Sequence, residues 1–436
     1  MKAFTLLLSL AATLCASAAG VILPLTYVDD GSFYPGTERA IEVYVPDAYD
    51  GTAEACLYVG LDGQMCGATR VMDSLTAAGK MPVTIAVFVQ PGVIRDQAGT
   101  VVRYNRSNEF DATSDKFVRF LAEKLLPAVQ GMTTPDGRPI RLSPRGEDHM
   151  IFGLSSGGIA AFVAAWHRPD VFGRVFSGVG TFVAMRGGND LQAFVRKSEP
   201  RPLRIFLQDG SNDAWNPLFG SWYEGNRLLA SALEFAGYDV AFDWDDSGHS
   251  MRRACQIYTR VMEWMWRDEP VCAGKTKNDL LTTLLTDDDM GWQPVSPTLT
   301  PTAKPKQAVY PDGCLMAAAD TEDNVLRQYL LPDTTCGQVF YWLHSYDNCR
   351  LDIGGMAFDG RGNLWVVTNA GIQICDQNGR VRAILTLPPG VQASDVREIR
   401  INDGAVQLLT PQRTFERRLN TIAPHAGTRP ESQGQG

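Results

Sequence analysis

The sequence predicts an α/β protein, a mostly parallel sheet flanked by helices, followed by a separate all-β segment. Three observations carry this reading. From about residue 55 to 266, short β-branched apolar runs alternate with longer amphipathic ones. After Trp266 the texture changes to short strand-like runs separated by glycine-containing turns. The composition, 44% hydrophobic and 20% charged over 436 residues, suits a chain with a sizeable core rather than a disordered or fibrous one. Strands alternating with helices imply parallel βαβ crossovers, which place helices on both faces of the sheet. A formal net charge of -9, from 40 Lys+Arg against 49 Asp+Glu, argues against a nucleic-acid partner, which needs a basic face.

Residues 1–18 read as a secretory signal peptide. Lys2 gives a basic start, Phe4 to Cys15 is apolar, and Ala16-Ser17-Ala18 is a small-x-small cleavage site. The chain is therefore expected to be exported, periplasmic or extracellular. No later run of 18 apolar residues suggests an integral membrane segment. Removing the leader takes Cys15 with it and leaves eight cysteines for an oxidising compartment. They are Cys56, Cys66, Cys255 and Cys272 in the first part, and Cys314, Cys336, Cys349 and Cys375 in the second. Disulfides within each half are expected. No C-x-x-C pair is present, so no zinc site, and no metal or cofactor, is expected.

The first mature domain is read over residues 19–270. Ala40–Val45 reads as an antiparallel strand at the edge of the sheet. Ala55–Leu61, Val83–Val89, His149–Phe152, Arg174–Ser177, Leu203–Leu207 and Val240–Trp244 read as the parallel strands. Asp115–Val129 reads as a helix, because Phe117, Phe120, Leu121 and Leu125 recur at helical spacing. Ile159–Trp166, Asn226–Ala236 and Arg252–Trp266 read likewise. Residues 271–305 read as a linker, since Pro294, Pro297, Pro301 and Pro305 among threonines leave no room for regular structure. Residues 306–422 form the all-β segment, with strands at Leu364–Val367, Gly371–Cys375, Val381–Leu385 and Val406–Leu409. Asp359-Gly360, Asn378-Gly379 and Asp403-Gly404 supply turns. Residues 423–436, rich in Gly, Gln and Pro, read as a disordered tail.

Gly153-Leu154-Ser155-Ser156-Gly157 matches G-x-S-x-G between a predicted strand and a helix beginning near Gly158. That placement suits a nucleophile: a sharp strand-to-helix turn exposes the Ser155 hydroxyl, and small neighbours tolerate the strained backbone. The N–H of Ser156, at the helix N-terminus, would face a developing oxyanion. A serine needs a histidine base, and the chain has only five. His149 sits in the strand before the turn, where it faces core or sheet; His167 closes the following helix; His344 and His425 fall late. His249, in Asp246-Ser247-Gly248-His249, lies on a loop between the last strand and the last helix, the place for a base in the order Ser, Asp, His. The acid should follow an intervening strand, where Asp209 and Asp213 are available. Asp209 is at the strand end and shapes the turn, so Asp213 is preferred; Asp245 and Asp246 are too near His249 in sequence to face its ring. A second oxyanion donor is expected from Leu61-Asp62-Gly63-Gln64, as Gly63 or Gln64. Arg106, Trp215, Trp222 and Asn226 are candidates to line a substrate cleft, the aromatics by stacking and Arg106 by holding a carboxylate or carbonyl.

Residues 35 to 266 resemble the esterase branch of the α/β-hydrolases that includes enterochelin esterases and feruloyl and acetylxylan esterases. The resemblance is carried by Tyr34-Pro35-Gly36-Thr37, Tyr44-Val45-Pro46, Leu61-Asp62-Gly63, Arg103-Tyr104-Asn105-Arg106-Ser107, the Gly153–Gly158 run, Arg168-Pro169-Asp170-Val171-Phe172 and the Phe206–Asp213 run. It implies Ser155 as nucleophile, Asp213 as acid and His249 as base. It also implies a small-molecule or glycan ester as substrate, an O-acylated carbohydrate ahead of an enterobactin-type siderophore ester. A third reading is a vestigial glycan-binding scaffold.

Gly355-Met356-Ala357-Phe358-Asp359, Gly362-Asn363-Leu364-Trp365-Val366 and Gly371-Ile372-Gln373-Ile374-Cys375-Asp376 resemble a blade of a gluconolactonase/regucalcin-type β-propeller. The resemblance implies a truncated propeller of two or three blades, with Leu280–Thr286 as its first strand-like run. Gly354 stands where such lactonases carry a metal-binding Asp, so lactonase chemistry is not expected. Disulfides, or docking on the first domain, are expected to protect its open edges.

Overall fold

The computed structural model describes residues 20–286, 288–296, 299–301, 306–319, 324–347 and 349–420. The expected signal peptide and tail lie outside these. One ten-stranded sheet organises the first part of the chain. Its strands are β1 (Val21–Val28), β2 (Glu38–Val45), β3 (Cys56–Leu61), β4 (Thr84–Val89), β5 (Val93–Arg95), β6 (Val101–Tyr104), β7 (His149–Leu154), β8 (Arg174–Gly178), β9 (Arg204–Gly210) and β12 (Asp239–Asp245). A short hairpin, β10 (Trp215–Asn216) with β11 (Gly220–Ser221), stands between β9 and β12. The order is β12-β9-β8-β7-β3-β4-β2-β5-β6, with β1 on β2. β12, β9, β8, β7, β3 and β4 run parallel, while β1, β2, β5 and β6 pair antiparallel. This is the mostly parallel, helix-flanked sheet that the alternating pattern predicts. All six expected parallel strands are present, and β2 matches the expected antiparallel one.

The helices are α1 (Ala68–Ala77), α2 (Arg106–Phe110), α3 (Lys116–Phe120), α4 (Leu126–Gln130), α5 (Ser156–His167), α6 (Leu191–Lys197), α7 (Trp222–Phe235), α8 (Arg252–Met265) and α9 (Asp279–Leu284). Successive strand residues point to opposite faces, so the sheet sorts its apolar side chains into two cores. Leu57, Val59, Val87 and Ile151 pack with α3 to α7; Tyr58, Phe88, Met150 and Phe152 pack with α1 and α8. The expected helix over Asp115–Val129 is α3 and α4 joined by a wider π-helical turn, Leu121–Leu125. Pro127 lies just beyond it; proline has no N–H to give and its ring crowds the carbonyl four residues back. α5 is buried from Ser156 through Trp166, so its sequence is apolar all round rather than striped.

The later chain forms three four-stranded antiparallel sheets. One holds β14 (Gln307–Val309), β15 (Leu315–Ala319), β16 (Val325–Leu330) and β17 (Gln338–Trp342) in sequence order. The next holds β18 (Ile353–Phe358), β19 (Leu364–Thr368), β20 (Gly371–Cys375) and β21 (Val381–Leu385). The last joins β22 (Glu398–Asn402), β23 (Ala405–Leu409) and β24 (Thr414–Arg418) to an earlier strand, β13 (Gln293–Val295). The first strands of the sheets adjoin, β14 against β18 and β18 against β22.

Three expectations need correction. Leu280–Thr286 is not a strand: Asn278 caps helix α9 by accepting from the N–H groups of Leu280 and Leu281, a cap worth about 1 kcal/mol. The proline-rich stretch is not devoid of structure either. Pro294 sits within β13, which pairs with β24 along one side only, the placement a proline tolerates. Finally, the expected pairing of cysteines within each half holds for one pair in the first half and not for the others. Cys66 and Cys255 form a disulfide, while Cys56, Cys272, Cys314, Cys336, Cys349 and Cys375 are free. Cys56 opens β3, whereas Cys272 neighbours β9 through the Pro202–Ala273 bridge, and β7 and β8 intervene. Three strand spacings are about 14 Å, twice what a disulfide spans.

Contacts between the two parts of the chain cluster at the C-terminal end of α5 and on α6. Trp166 Nε1 donates to the Tyr346 hydroxyl at 2.9 Å, and Phe194 stacks on Tyr346 at 4.2 Å. Glu199 accepts from Thr386 and from Arg417.

Candidate active site

β7 delivers the chain into the turn at Ser155, whose φ of 58° is one that side-chain-bearing residues rarely adopt. The turn is held by Ser155 N–H to Gly178 O at 2.9 Å and by Thr181 N–H to Ser155 O at 3.2 Å. α5 starts at the next residue, so the Ser156 N–H lies among the helix donors that have no intrahelical acceptor. The glycines explain how closely the parts approach. A Cβ on Gly153 would stand 2.1 Å from Gly157 O, and one on Gly157 would stand 2.9 Å from Asp62 Oδ2.

His249 Nε2 lies 2.8 Å from Ser155 Oγ, and His249 Nδ1 lies 2.6 Å from Asp213 Oδ1. Three residues separated by 58 and 36 positions are thus joined in one line of hydrogen bonds (213 less 155, and 249 less 213). The two loops that meet here are tied together. Asn212 N–H donates to Ser247 O at 3.2 Å, and Asn212 Nδ2 donates to Asp246 O at 2.7 Å. Asp213 has no solvent-exposed side-chain surface, while His249 is about a third exposed, at 34%. Burial pushes the Asp213 carboxyl up, but hydrogen bonds from His249, Asp209 and the Ala214 N–H outweigh it, and the net direction is down. Asp209 moves the other way, to about 9, through burial first and then its hydrogen bond with Asp213 and the charge there. Asp245 and Asp246 do not meet the ring. Asp245 instead accepts from Ser247 and pairs with Arg253.

The other histidines are occupied elsewhere. His149 is buried with Nδ1 2.8 Å from Val171 O, and His167 Nε2 lies 2.8 Å from Thr113 O. His344 abuts Lys197, with 2.6 Å between Nε2 and Nζ, and His425 lies outside the described residues.

Gly63 and Gln64 follow β3 on a loop that includes two consecutive positive φ angles, Asp62 at 63° and Gly63 at 87°. The Gln64 side chain turns to Thr69 Oγ1 at 2.8 Å. Arg106 holds this loop rather than presenting its fork to a ligand. Its Nε and Nη2 grip Asp62 at 2.6 and 2.8 Å, and Nη2 reaches Leu154 O at 3.3 Å. The expectation that Arg106 binds a substrate carboxylate therefore yields to an internal bidentate pair that joins the Gly63 loop to the serine turn. Asn226 also leaves the cleft. It is wholly buried, its Nδ2 donating to Gly180 O, Asp209 Oδ2 and Trp222 O. Trp222 does stand at the site, its ring 6.1 Å from that of His249 and its Nε1 3.3 Å from Thr181 Oγ1. Trp215, on the hairpin just after Asp213, is 71% exposed.

Two neighbours escape sequence reasoning. Thr181 Oγ1 lies 3.5 Å from Ser155 Oγ, and Cys66, two residues past Gln64, is tied to Cys255 on α8. Gly178-Val179-Gly180-Thr181 was the available signal for the first, a glycine-flanked turn after the strand beside β7.

A buried acid, an imidazole and a hydroxyl in line, with helix N–H groups alongside, can generate a nucleophilic alkoxide and stabilise an oxyanion. A mostly parallel sheet bearing that arrangement fits an α/β-hydrolase. The family model described as "Putative esterase" matches residues 32–261, over half of the chain. The chain belongs to this esterase family and is a carboxylic ester hydrolase. No curated protein sequence matches it. Among solved structures, a ferulic acid esterase is similar at 17% identity and a TM-score of 0.44, covering 57% of this chain and 98% of that one. An enterobactin esterase from Shigella flexneri is similar at 21% identity and a TM-score of 0.43, covering 56% of this chain and 59% of that one. A fluorophosphonate-binding serine hydrolase of Staphylococcus aureus is similar at 15% and 0.38, covering 57% and 99%.

Proposed function

We propose that this chain is an exported serine esterase that works through an acyl-enzyme. Ser155 Oγ attacks the ester carbonyl while His249 Nε2 takes its proton; Asp213 holds the imidazole and balances its charge. The oxyanion receives the N–H of Ser156 and that of Gly63 or Gln64. His249 then protonates the leaving alcohol, and water, activated by the same imidazole, releases the acid. The observation that carries this reading is the hydrogen-bond line at 2.8 and 2.6 Å. Ser155→Ala should abolish turnover of a small aryl ester and labelling by a fluorophosphonate. A variant that hydrolyses at the wild-type rate would sink the proposal.

The substrate we infer is an O-acylated carbohydrate or a related small ester. Trp222 beside His249 and the exposed Trp215 offer faces on which sugar rings stack. Faster turnover of an enterobactin-type triester than of acetylated glycans would move the assignment to a siderophore ester. The leader at residues 1–18 supports export, which cell fractionation tests. The three later sheets, with β14, β18 and β22 adjoining, are read as a shortened propeller docked on the hydrolase at α5 and α6.

A further inference from the structure

One buried acid beside the site has no part in the mechanism above. Asp209 is the penultimate residue of β9 and is wholly buried. Its Oδ1 accepts from the Gly210 N–H at 2.7 Å and its Oδ2 from Asn226 Nδ2 at 2.8 Å. The Asp209 and Asp213 carboxyl groups lie against one another, and each acts on the other's charge. Asp213 uses Oδ1 for His249 and the Ala214 N–H. Its Oδ2 is buried with no N–H or hydroxyl from any other residue upon it. Two buried carboxyl groups packed against one another favour one proton between them, because like charges repel and an ionised carboxylate has no hydrogen to donate. Asp213 faces the imidazole, which favours charge there, so the proton belongs on Asp209.

We propose that Asp209 is a positioning residue, a neutral carboxylic acid that donates its O–H to Asp213 Oδ2. The line then has four members, Asp209, Asp213, His249 and Ser155, with Asn226 on α7 and the Gly210 N–H fixing the first. The donor fixes the plane of the Asp213 carboxylate and keeps its buried second oxygen from lying unpaired. The inference rests on the triad reading. The direction of the Asp209 shift, upward, agrees with the geometry. The groups around Asp209 offer no cation to ionise it directly. Its own loop presents Asp213; β12 presents Asp245, with Arg253 of α8 upon that residue; α7 presents the uncharged Asn226; and His249 is reached only through Asp213. Raising the pH removes the Asp209 proton, which deletes the donor and places a second negative charge behind the imidazole. Activity should therefore decline on the alkaline side through Asp209.

The test is a pH profile of kcat on a small aryl ester for the full chain and two variants. Asp209→Asn keeps an N–H donor but cannot ionise, so kcat should stay within about tenfold of wild type and the alkaline decline should disappear. Asp209→Ala removes the donor, and kcat should fall about 10- to 100-fold with KM little changed. An alkaline decline unchanged in Asp209→Asn, or wild-type kcat in Asp209→Ala, overturns the proposal; if the alanine variant does not fold, the asparagine profile decides alone. Failure of the triad reading looks different: Ser155→Ala would retain wild-type turnover and all the profiles would be moot.

Discussion

The two parts of the chain spend their backbone hydrogen bonds differently. In the hydrolase part, six parallel strands bring turns from distant positions in sequence to one edge of a single sheet. Ser155 follows β7, Gly63 follows β3, Asp213 follows β9 and His249 follows β12. In the later part, each four-stranded sheet is an up-and-down path with near neighbours paired, apart from β13. Parallel pairing forces long crossovers and thereby gathers remote residues; antiparallel pairing keeps partners local and gathers little. The difference teaches where chemistry can be assembled. It also shows what the second part offers instead, an apolar and aromatic surface for α5 and α6.

The strongest way to break this contrast is to remove the nucleophile. Ser155→Ala should lower kcat by about 10⁴-fold or more without altering the melting temperature appreciably, measured by steady-state ester hydrolysis and calorimetry. A weaker break targets the approach of the Gly63 loop to the serine turn. Gly157→Ala places a Cβ against Asp62 Oδ2, so kcat should fall about 10²-fold as the oxyanion donors shift. Next comes the covalent tie. Replacing Cys66 and Cys255 by serine should cost about 3–5 kcal/mol of stability in denaturant titration, the loop closed being long at a separation of 189 residues. On the other side of the contrast, Phe194→Ala should cost about 3 kcal/mol by emptying the contact under Tyr346, with kcat within about twofold of wild type.

The smallest effect is a pH dependence of that same contact. Burial, and then the charge of Lys197, depress His344 to about 4; burial, and then Arg201, depress His167. Both are held below their unfolded value of about 6.5. Their contribution is complete above that value and is lost as the pH falls through the folded pKa values, because the unfolded chain binds those protons first. Thermal unfolding followed from about pH 7 down to about 4 should show a declining midpoint, and Lys197→Met should flatten the decline.

The three residues that meet in the hydrogen-bond line were legible because each stands in a local pattern. Strand, glycine turn and helix frame Ser155, and elimination among five histidines leaves His249. What escaped depends on partners chosen by tertiary folding. Nothing near Arg106 says that Asp62, 44 residues earlier, will take its fork, nor that Asn226 will turn inward to Asp209. Leu280–Thr286 misled because a short apolar run has no distinct period, and the Asn278 cap decides it. The cysteines were legible only in part, because pairing follows geometry across the sheet: Cys66 and Cys255 meet within the first half, and no other pair does among the described residues.

That single disulfide has a topological consequence. Cys66 precedes and Cys255 follows all of Ser155, Asp213 and His249, so the three lie on one closed covalent ring. A single cut anywhere in the ring, in the exposed hairpin around Leu218 for instance, opens a circle into a line and liberates no fragment. Every piece of the hydrogen-bond line would stay tethered to the others, and a nicked molecule would separate into two chains only after reduction.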